Sequence, residues 1–201
     1  MTLDDGLVTA NLTISLDGFV AGPHQSLDDP LGEGGEDMHR WMFEQPDENQ
    51  SIVDQILAPS AYIMGRNMFG PIRGEWPDDE WKGWWGDDPP YHGPVFVLTH
   101  HARDPIPMQG GTTFHFVTTG IDDALARAKA AAGTGRVSIA GGASTVRQYL
   151  AAGRIDRIIL SIAPIMLGDG ERLFDGLHVE MTPVEVLNTE LATHITYDVR
   201  H

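Results

Sequence analysis

The residues best suited to chemistry stand in the run Val137 to Leu150, where Gly141-Gly142-Ala143-Ser144-Thr145 follows an apolar stretch. Val137 and Ile139 favour a strand. The paired glycines permit a tight turn, and Val146, Tyr149 and Leu150 then share one face of a helix. A helix N-terminus offers free N–H groups and about half a positive charge, which suits an anion. Ser144 and Thr145 add hydroxyls to that first turn. The same run also reads as an ordinary strand-to-helix turn, and it lacks the full G-x-G-x-x-G fingerprint. Two more apolar runs end in comparable groups: Gly65-Arg66 after Ala61 to Met64, and Thr99-His100-His101 with Arg103 after Val95 to Leu98. In open α/β sheets ligands gather beyond the carboxyl ends of parallel strands. A dinucleotide with an extra 2′-phosphate suits all three, with the glycines at the pyrophosphate and Arg66 and Thr99 at the adenosine phosphate. Taken singly, Arg66 also reads as a surface ion pair and His100-His101 as an exposed turn.

Carboxylates are the next candidates. Glu36 and Asp37 open a helical pattern in which Met38, Trp41, Met42 and Gln45 recur at helical spacing. Asp37 is placed for proton or substrate chemistry, although acidic residues early in a helix also complement its dipole. Asp17 before Gly18 reads as a turn former. His39 and His92 are possible proton donors. His24, Asp28, Asp29, His39 and the pair His100-His101 show no metal-ligand spacing. Neither G-x-S-x-G nor a Ser-His-Asp pattern is present.

Composition narrows the function further. The 201 residues include 13 basic against 29 acidic side chains, for a net charge of −16. That balance argues against non-specific nucleic-acid binding. Any phosphate ligand must sit in a local basic pocket that opposes the overall field. There is no cysteine, so thiolate metal sites, disulfides and cysteine nucleophiles are excluded. No apolar run approaches the ~20 residues of a membrane span. Met1 to Gly6 is acidic and lacks a leader pattern, so a soluble cytoplasmic protein is expected.

The elements that must position these groups follow from hydrophobic periodicity. Leu7 to Leu16 alternates, with Val8, Ala10, Leu12, Ile14 and Leu16 on one side and Thr9, Asn11, Thr13 and Ser15 on the other. The polar side either meets water or lines a cleft. Helices are expected over 36–45, over 52–57 with Ser51 as cap, over 121–132 and after Gly142. Strands are expected at 61–64, 95–98, 113–117, 137–140 and 157–165, with a closing hairpin over 182–200. The segment from Pro71 to Pro94, with Trp76, Trp81, Trp84, Trp85 and Tyr91, reads as a loop packed on its own aromatics or as a substrate lid. Alternating strands and helices predict one α/β domain over residues 1–201, with a mainly parallel sheet and helices on both faces.

The chain resembles a known family in several ordered motifs. Asn11-Leu12-Thr13-Ile14-Ser15-Leu16-Asp17-Gly18-Phe19-Val20-Ala21, Ile63-Met64-Gly65-Arg66, Val97-Leu98-Thr99, Ile139-Ala140-Gly141-Gly142, Pro164 to Gly170 and Leu173-Phe174 resemble the RibD C-terminal-domain family, the bacterial dihydrofolate-reductase-like proteins. The resemblance implies a dihydrofolate-reductase-like fold with an antiparallel C-terminal strand, NADPH as cofactor, hydride transfer and often a homodimer. It implies that Gly141, Gly142, Ala143, Ser144 and Thr145 hold the pyrophosphate. Gly65, Arg66 and Thr99, with His101 or Arg103, would meet the 2′-phosphate side. Val20, Ala21 and Gly22 would border the nicotinamide. A carboxylate on the helix after the first loop corresponds to Asp37, at altered spacing. Met68 stands where dihydrofolate reductases usually carry a threonine. Asn11 and Thr13, the helix bearing Met38, Trp41 and Met42, and the Trp-rich loop would enclose a small heterocyclic substrate, pterin- or pyrimidine-like. Arg40 is the one Lys or Arg between Gly18 and Leu57, which disfavours a phosphorylated riboflavin precursor. The rival expectation is a non-catalytic NADPH-binding sensor or interaction protein on the same fold; NADH or a deazaflavin is the alternative cofactor.

Overall fold

A computed structural model describes residues 6–78 and 80–201. The acidic opening, residues 1–5, and position 79 of the Trp-rich loop lie outside the described residues. The alternating run at the start forms β1 (Val8–Ser15), and a turn leads to the short β2 (Phe19–Ala21). A 3-10 turn (Glu36–His39) then joins α1 (Arg40–Glu44), followed by α2 (Pro46–Leu57), β3 (Ala61–Gly65) and α3 (Arg66–Phe69). After the Trp-rich loop come β4 (Pro94–Leu98), β5 (Ile106–Pro107), β6 (Thr113–Val117) and α4 (Ile121–Ala132). The chain closes with β7 (Val137–Gly141), α5 (Ala143–Ala151), β8 (Arg157–Ala163), β9 (Glu171–Arg172), β10 (Met181–Asn188) and β11 (Thr193–Val199).

Nine strands form one mixed sheet in the order β10-β11-β8-β1-β7-β3-β4-β6-β5, and β2 pairs with β9 apart from it. The six strands from β8 to β6 run parallel to their neighbours. The β10–β11 hairpin adds to β8 antiparallel, as the closing alternation predicts. The opposite edge also ends antiparallel, at β5. This two-residue strand, inside a proline-containing loop, leaves no periodic signal. The fold is therefore α/β, with a mainly parallel nine-stranded sheet and antiparallel C-terminal strands.

Each strand divides its side chains between two unlike faces. One face is continuous and apolar. Val8, Ala10, Leu12 and Ile14 of β1 join Ile63, Phe96, Ile139, Ile158 and Leu160 in a single core. Helices α4 and α5 cover it with Ala124, Leu125, Ala128, Val146, Tyr149 and Leu150. The other face carries two separate clusters. Tyr62, Met64, Val95, Val97 and Phe114 gather with Phe69 beneath the Trp-rich loop. Trp41 and Ile52, from α1 and α2, pack on Ala192 and the C-terminal hairpin.

Three local expectations need correction. Ser51 does not cap a helix: α2 begins five residues earlier with Pro46 at its first turn, where a missing N–H costs nothing. The pattern over 36–45 is a 3-10 turn and a short helix rather than one helix. Leu16 is 65% exposed, because β1 stops at Ser15 and the chain turns there. Asp17 pins that turn. Its carboxylate accepts from Ser15 Oγ (2.6 Å) and from the backbone N–H groups of Leu167 (3.1 Å) and Gly168 (2.7 Å). The Ser15 bond, aided by those two N–H groups against some desolvation, lowers its pKa to about 2.

A buried polar chain crosses from the sheet to α2. His194 Nδ1 lies 2.7 Å from Ser161 Oγ, and His194 Nε2 lies 2.8 Å from Asn49 Oδ1. Burial pushes the His194 pKa down to about 4. Between that value and the ordinary 6.5, the unfolded chain binds a proton that the folded protein refuses. The contribution is thus full above about pH 6.5 and is lost as pH falls toward 4. We expect His194→Gln to remove this part of the acid sensitivity. The check is the urea midpoint of both proteins across that pH window; profiles that stay parallel would contradict the assignment.

Candidate active site

The gap between the two clusters on the second face is a cleft of about 1420 Å³. Its floor follows from strand alternation. Where Leu12, Ile139 and Leu160 turn toward the core, Asn11 and Thr13 of β1, Ser138 and Ala140 of β7, and Ile159 and Ser161 of β8 turn the other way and line the cleft. The polar side of β1 is thus a cleft floor rather than a solvated edge, because β1 sits between β8 and β7. Met42 and Phe43 of α1 and Ile52, Val53 and Ile56 of α2 form one wall. Trp84, Trp85 and Tyr91 line it from the Trp-rich loop. That loop packs by aromatic contact, as one of its two readings holds. Trp76 and Trp81 meet Phe69 edge-on at 5.8 and 5.4 Å, and Trp84 stacks on Trp85 at 4.5 Å. Both latter indoles donate to the Met68 carbonyl.

One end of the cleft lies over the adjacent carboxyl ends of β7, β3, β4 and β6, where Gly141, Gly65, Leu98 and Val117 all line it. Gly141 has φ +139°, a conformation closed to most side chains, and a Cβ there would lie 2.9 Å from Met68 Sδ. The Gly141–Gly142 peptide is cis. Gly142, Ala143, Ser144 and Thr145 then present the first turn of α5 to the cleft, and nothing crowds the backbone at Gly142 within 4 Å. Gly65 is required by close approach, since a Cβ there would land on Thr145 Oγ1.

Beside this turn two arginines gather at one aromatic ring. The Arg66 guanidinium lies 3.9 Å from the Trp76 ring centroid, and Arg103 lies 5.2 Å from the same ring. Arg66 donates to the Glu75 carbonyl at 3.2 Å, yet its Nε–H is buried without a partner. Burial lowers the Arg66 pKa from its usual value; Glu75 opposes this and the like charge of Arg103 adds to it. His101 Nδ1 sits 3.1 Å from Glu75 Oε1, and its backbone N–H donates to Thr99 Oγ1. A cationic group that is desolvated, crowded by another cation and short of one acceptor suits an anion such as a phosphate.

The remaining predicted residues divide. Val20, Ala21 and Asp37 line the cleft, as do Arg66, Thr99 and His101. Gly22 does not: it is buried against the main chain of Glu33 in the following loop. Met38 and Trp41 are fully buried behind the wall that Met42 forms. Four residues and one residue ahead of Met42, they turn inward, Trp41 onto His194 at 4.8 Å between rings. His39 lines the cleft with its pKa lowered by burial, whereas His92 is held by the Gly110 carbonyl away from it. Sequence reasoning did not find Ser161 and Ile159, hidden in an apolar strand. Nor did it find Thr118, Gly120 and Ile121, although Thr113–Val117 followed by Gly120 and a helix repeats the strand-turn-helix pattern used for Gly141. No group of three or more potential metal ligands occurs among the described residues, and no helix among them is long and apolar enough to cross a membrane.

The RibD C-terminal domain model matches residues 7–200. The chain belongs to the RibD C-terminal domain family. RibD C-terminal reductases act on pyrimidine intermediates with NADPH. Solved structures of the same fold include a riboflavin biosynthesis protein from Shewanella sp. PV-4, described as putative. It shows 22% identity and a TM-score of 0.66, with 97% of this chain and 99% of that one covered. A pyrimidine reductase-like protein from Corynebacterium diphtheriae shows 15% identity and a TM-score of 0.59, with 98% and 92% covered. The Saccharomyces cerevisiae riboflavin biosynthesis reductase Rib7 shows 12% identity and a TM-score of 0.59, with 100% and 92% covered. Among curated proteins none matches the sequence.

Within this RibD C-terminal fold, the turn at Gly141 is set by backbone conformation. Gly141→Ala must carry a side chain at φ +139° and displace Met68. It is expected to cost about 1–3 kcal/mol, lowering Tm by several degrees in a thermal melt. An unchanged Tm would show that the turn tolerates a side chain.

Proposed function

We propose that this chain is an NADPH-dependent reductase of a small heterocycle, pyrimidine- or pterin-like, acting on a C=N or C=O group. The observation that carries the reading is the unpartnered Arg66 Nε–H beside Trp76, in the same cleft as the first turn of α5. NADPH, when bound, supplies a hydride from its nicotinamide ring. The residues present fit it. The N–H groups at Gly142 to Thr145 would hold a pyrophosphate, and Arg66, with Thr99 and His101, would hold a 2′-phosphate. Val20 and Ala21 line the same cleft as Asn11 and Thr13, which would meet the substrate. Apolar side chains of α1, α2 and the Trp-rich loop restrict water around the reacting carbon.

Proton supply falls to the cleft wall. Asp37 is exposed there, on the turn that leads into α1. Asp37→Asn is expected to lower turnover on the order of a hundredfold while leaving NADPH affinity intact. Full activity in that variant would move the proton route to a bound water or to His39. NADPH binding without turnover on any pyrimidine or pterin substrate would favour the sensor reading instead.

The cofactor assignment has its own test. Arg66→Ala should weaken NADPH by about 1–3 kcal/mol and leave NADH nearly unchanged, because only NADPH brings the 2′-phosphate. The five tryptophans provide the fluorescence signal for both titrations. Equal losses for the two cofactors would remove Arg66 from the phosphate site.

A further inference from the structure

The hydrogen-bond chain behind the cleft floor fixes the polarity of one residue that faces the substrate. Asn49 Nδ2 donates to the carbonyls of Trp41 (3.0 Å) and Gln45 (2.8 Å), which uses both of its hydrogens. Its Oδ1 therefore faces His194 Nε2, at 2.8 Å. An amide oxygen only accepts, so the His194 proton is on Nε2. His194 is 2% exposed, and burial keeps its ring neutral, so Nδ1 is a bare acceptor. The 2.7 Å contact to Ser161 Oγ is then a bond that Ser161 donates. The one hydroxyl hydrogen of Ser161 is thereby committed to the protein interior. What remains for the cleft that Ser161 lines is its lone pairs alone.

A second acceptor lies beside it. Thr13 pairs with Ser161 and Asn11 with Ile159 in the β1–β8 ladder, so Asn11 and Ser161 are diagonal neighbours on the same face. Asn11 Nδ2 points to the Gln55 carbonyl at 3.5 Å, and its Oδ1 is buried with no partner. Glu36 and Asp37 add carboxylates to the same cleft, while the nearby Arg40 is held by both oxygens of Glu44. This limb of the cleft offers acceptors and negative charge.

We propose that Ser161, held as an obligate acceptor by His194 and Asn49 and joined by Asn11 Oδ1, determines specificity by reading N–H donors on the substrate ring. The proposal rests on the reductase reading for the place of the substrate, and not on the identity of the cofactor. A ring nitrogen or exocyclic amine that donates satisfies both oxygens. A ring that offers only acceptors there leaves both protein oxygens facing another acceptor in a dry site.

The test uses two probes of nearly equal shape, 2,4-diaminopyrimidine and 2,4-dimethylpyrimidine, in alkaline buffer where both rings are neutral. Binding to the whole protein is followed by tryptophan fluorescence. The wild type should prefer the diamino ring by about tenfold or more. Ser161→Val should lose most of that preference, and Ser161→Thr, which has the shape of valine but keeps the hydroxyl, should retain it. Thermal melts report whether each variant is folded. No preference in the wild type would overturn the proposal without any variant, as would identical preferences in folded Val and Thr proteins. NADPH titrations run alongside separate the two readings. A wild type that binds NADPH but shows no donor preference defeats only the Ser161 assignment. Donor preference without NADPH binding defeats only the reductase.

Discussion

The site depends on an asymmetry between the two faces of one sheet. On the α4–α5 side, the inward residues of β1, β7, β3, β4 and β8 make a continuous apolar core that needs no gap. On the other side, β1, β7 and β8 present Asn11, Thr13, Ser138 and Ser161, too polar or small to close against a helix. Apolar packing therefore condenses at two separate places, around Phe69 and around Trp41, and the floor between them stays open. A helix laid over that floor would bury hydroxyl and amide groups that it could not satisfy. The cleft is thus a consequence of side-chain alternation in the central strands.

Electrostatics then divides the cleft lengthwise. A chain of net charge −16 repels phosphate at long range. The opposing force is concentrated near Trp76, where Arg66 and Arg103 share one ring face region and Glu75 partly balances them. Stacking over an aromatic ring lets the two guanidinium groups approach, while the Arg66 Nε–H stays short of an acceptor. The other limb carries Glu36, Asp37 and Glu44 with a single neutralised arginine. One end of the groove therefore favours an anion and the other favours hydrogen-bond donors.

How much of this was legible depends on the range of the interaction. The strand-exit signals at Gly65, Thr99 and Gly141 are local, so spacing alone brings these three strand ends to one end of the cleft. The alternation of β1 gave the polar floor, but its orientation needed the strand order, since an edge strand and a central strand look alike in sequence. Met38, Trp41 and Met42 share a helical spacing that names a face without saying which side of that face is the core. The structure turns Met42 to the cleft and the two larger neighbours inward. The family resemblance groups Gly22 with Val20 and Ala21, whereas β2 ends at Ala21 and Gly22 packs against the main chain of the following loop.

Ser161 shows the limit of local reading most clearly. In Arg157–Ala163 it is the single hydroxyl within an apolar strand, which by itself suggests nothing beyond a tolerated small polar residue. Its meaning arises from Asn49, distant by 112 positions, and from His194, distant by 33. Each link is unremarkable when taken alone. Together they remove every alternative proton position, because an amide with both hydrogens used leaves the imidazole one tautomer and the imidazole leaves the hydroxyl one direction. A buried polar chain of this kind is costly to desolvate, and its full satisfaction is what makes it tolerable in a core. The same requirement that stabilises it fixes what the last oxygen can offer to a ligand, so here the accounting of hydrogen bonds in the interior sets the chemistry of the surface.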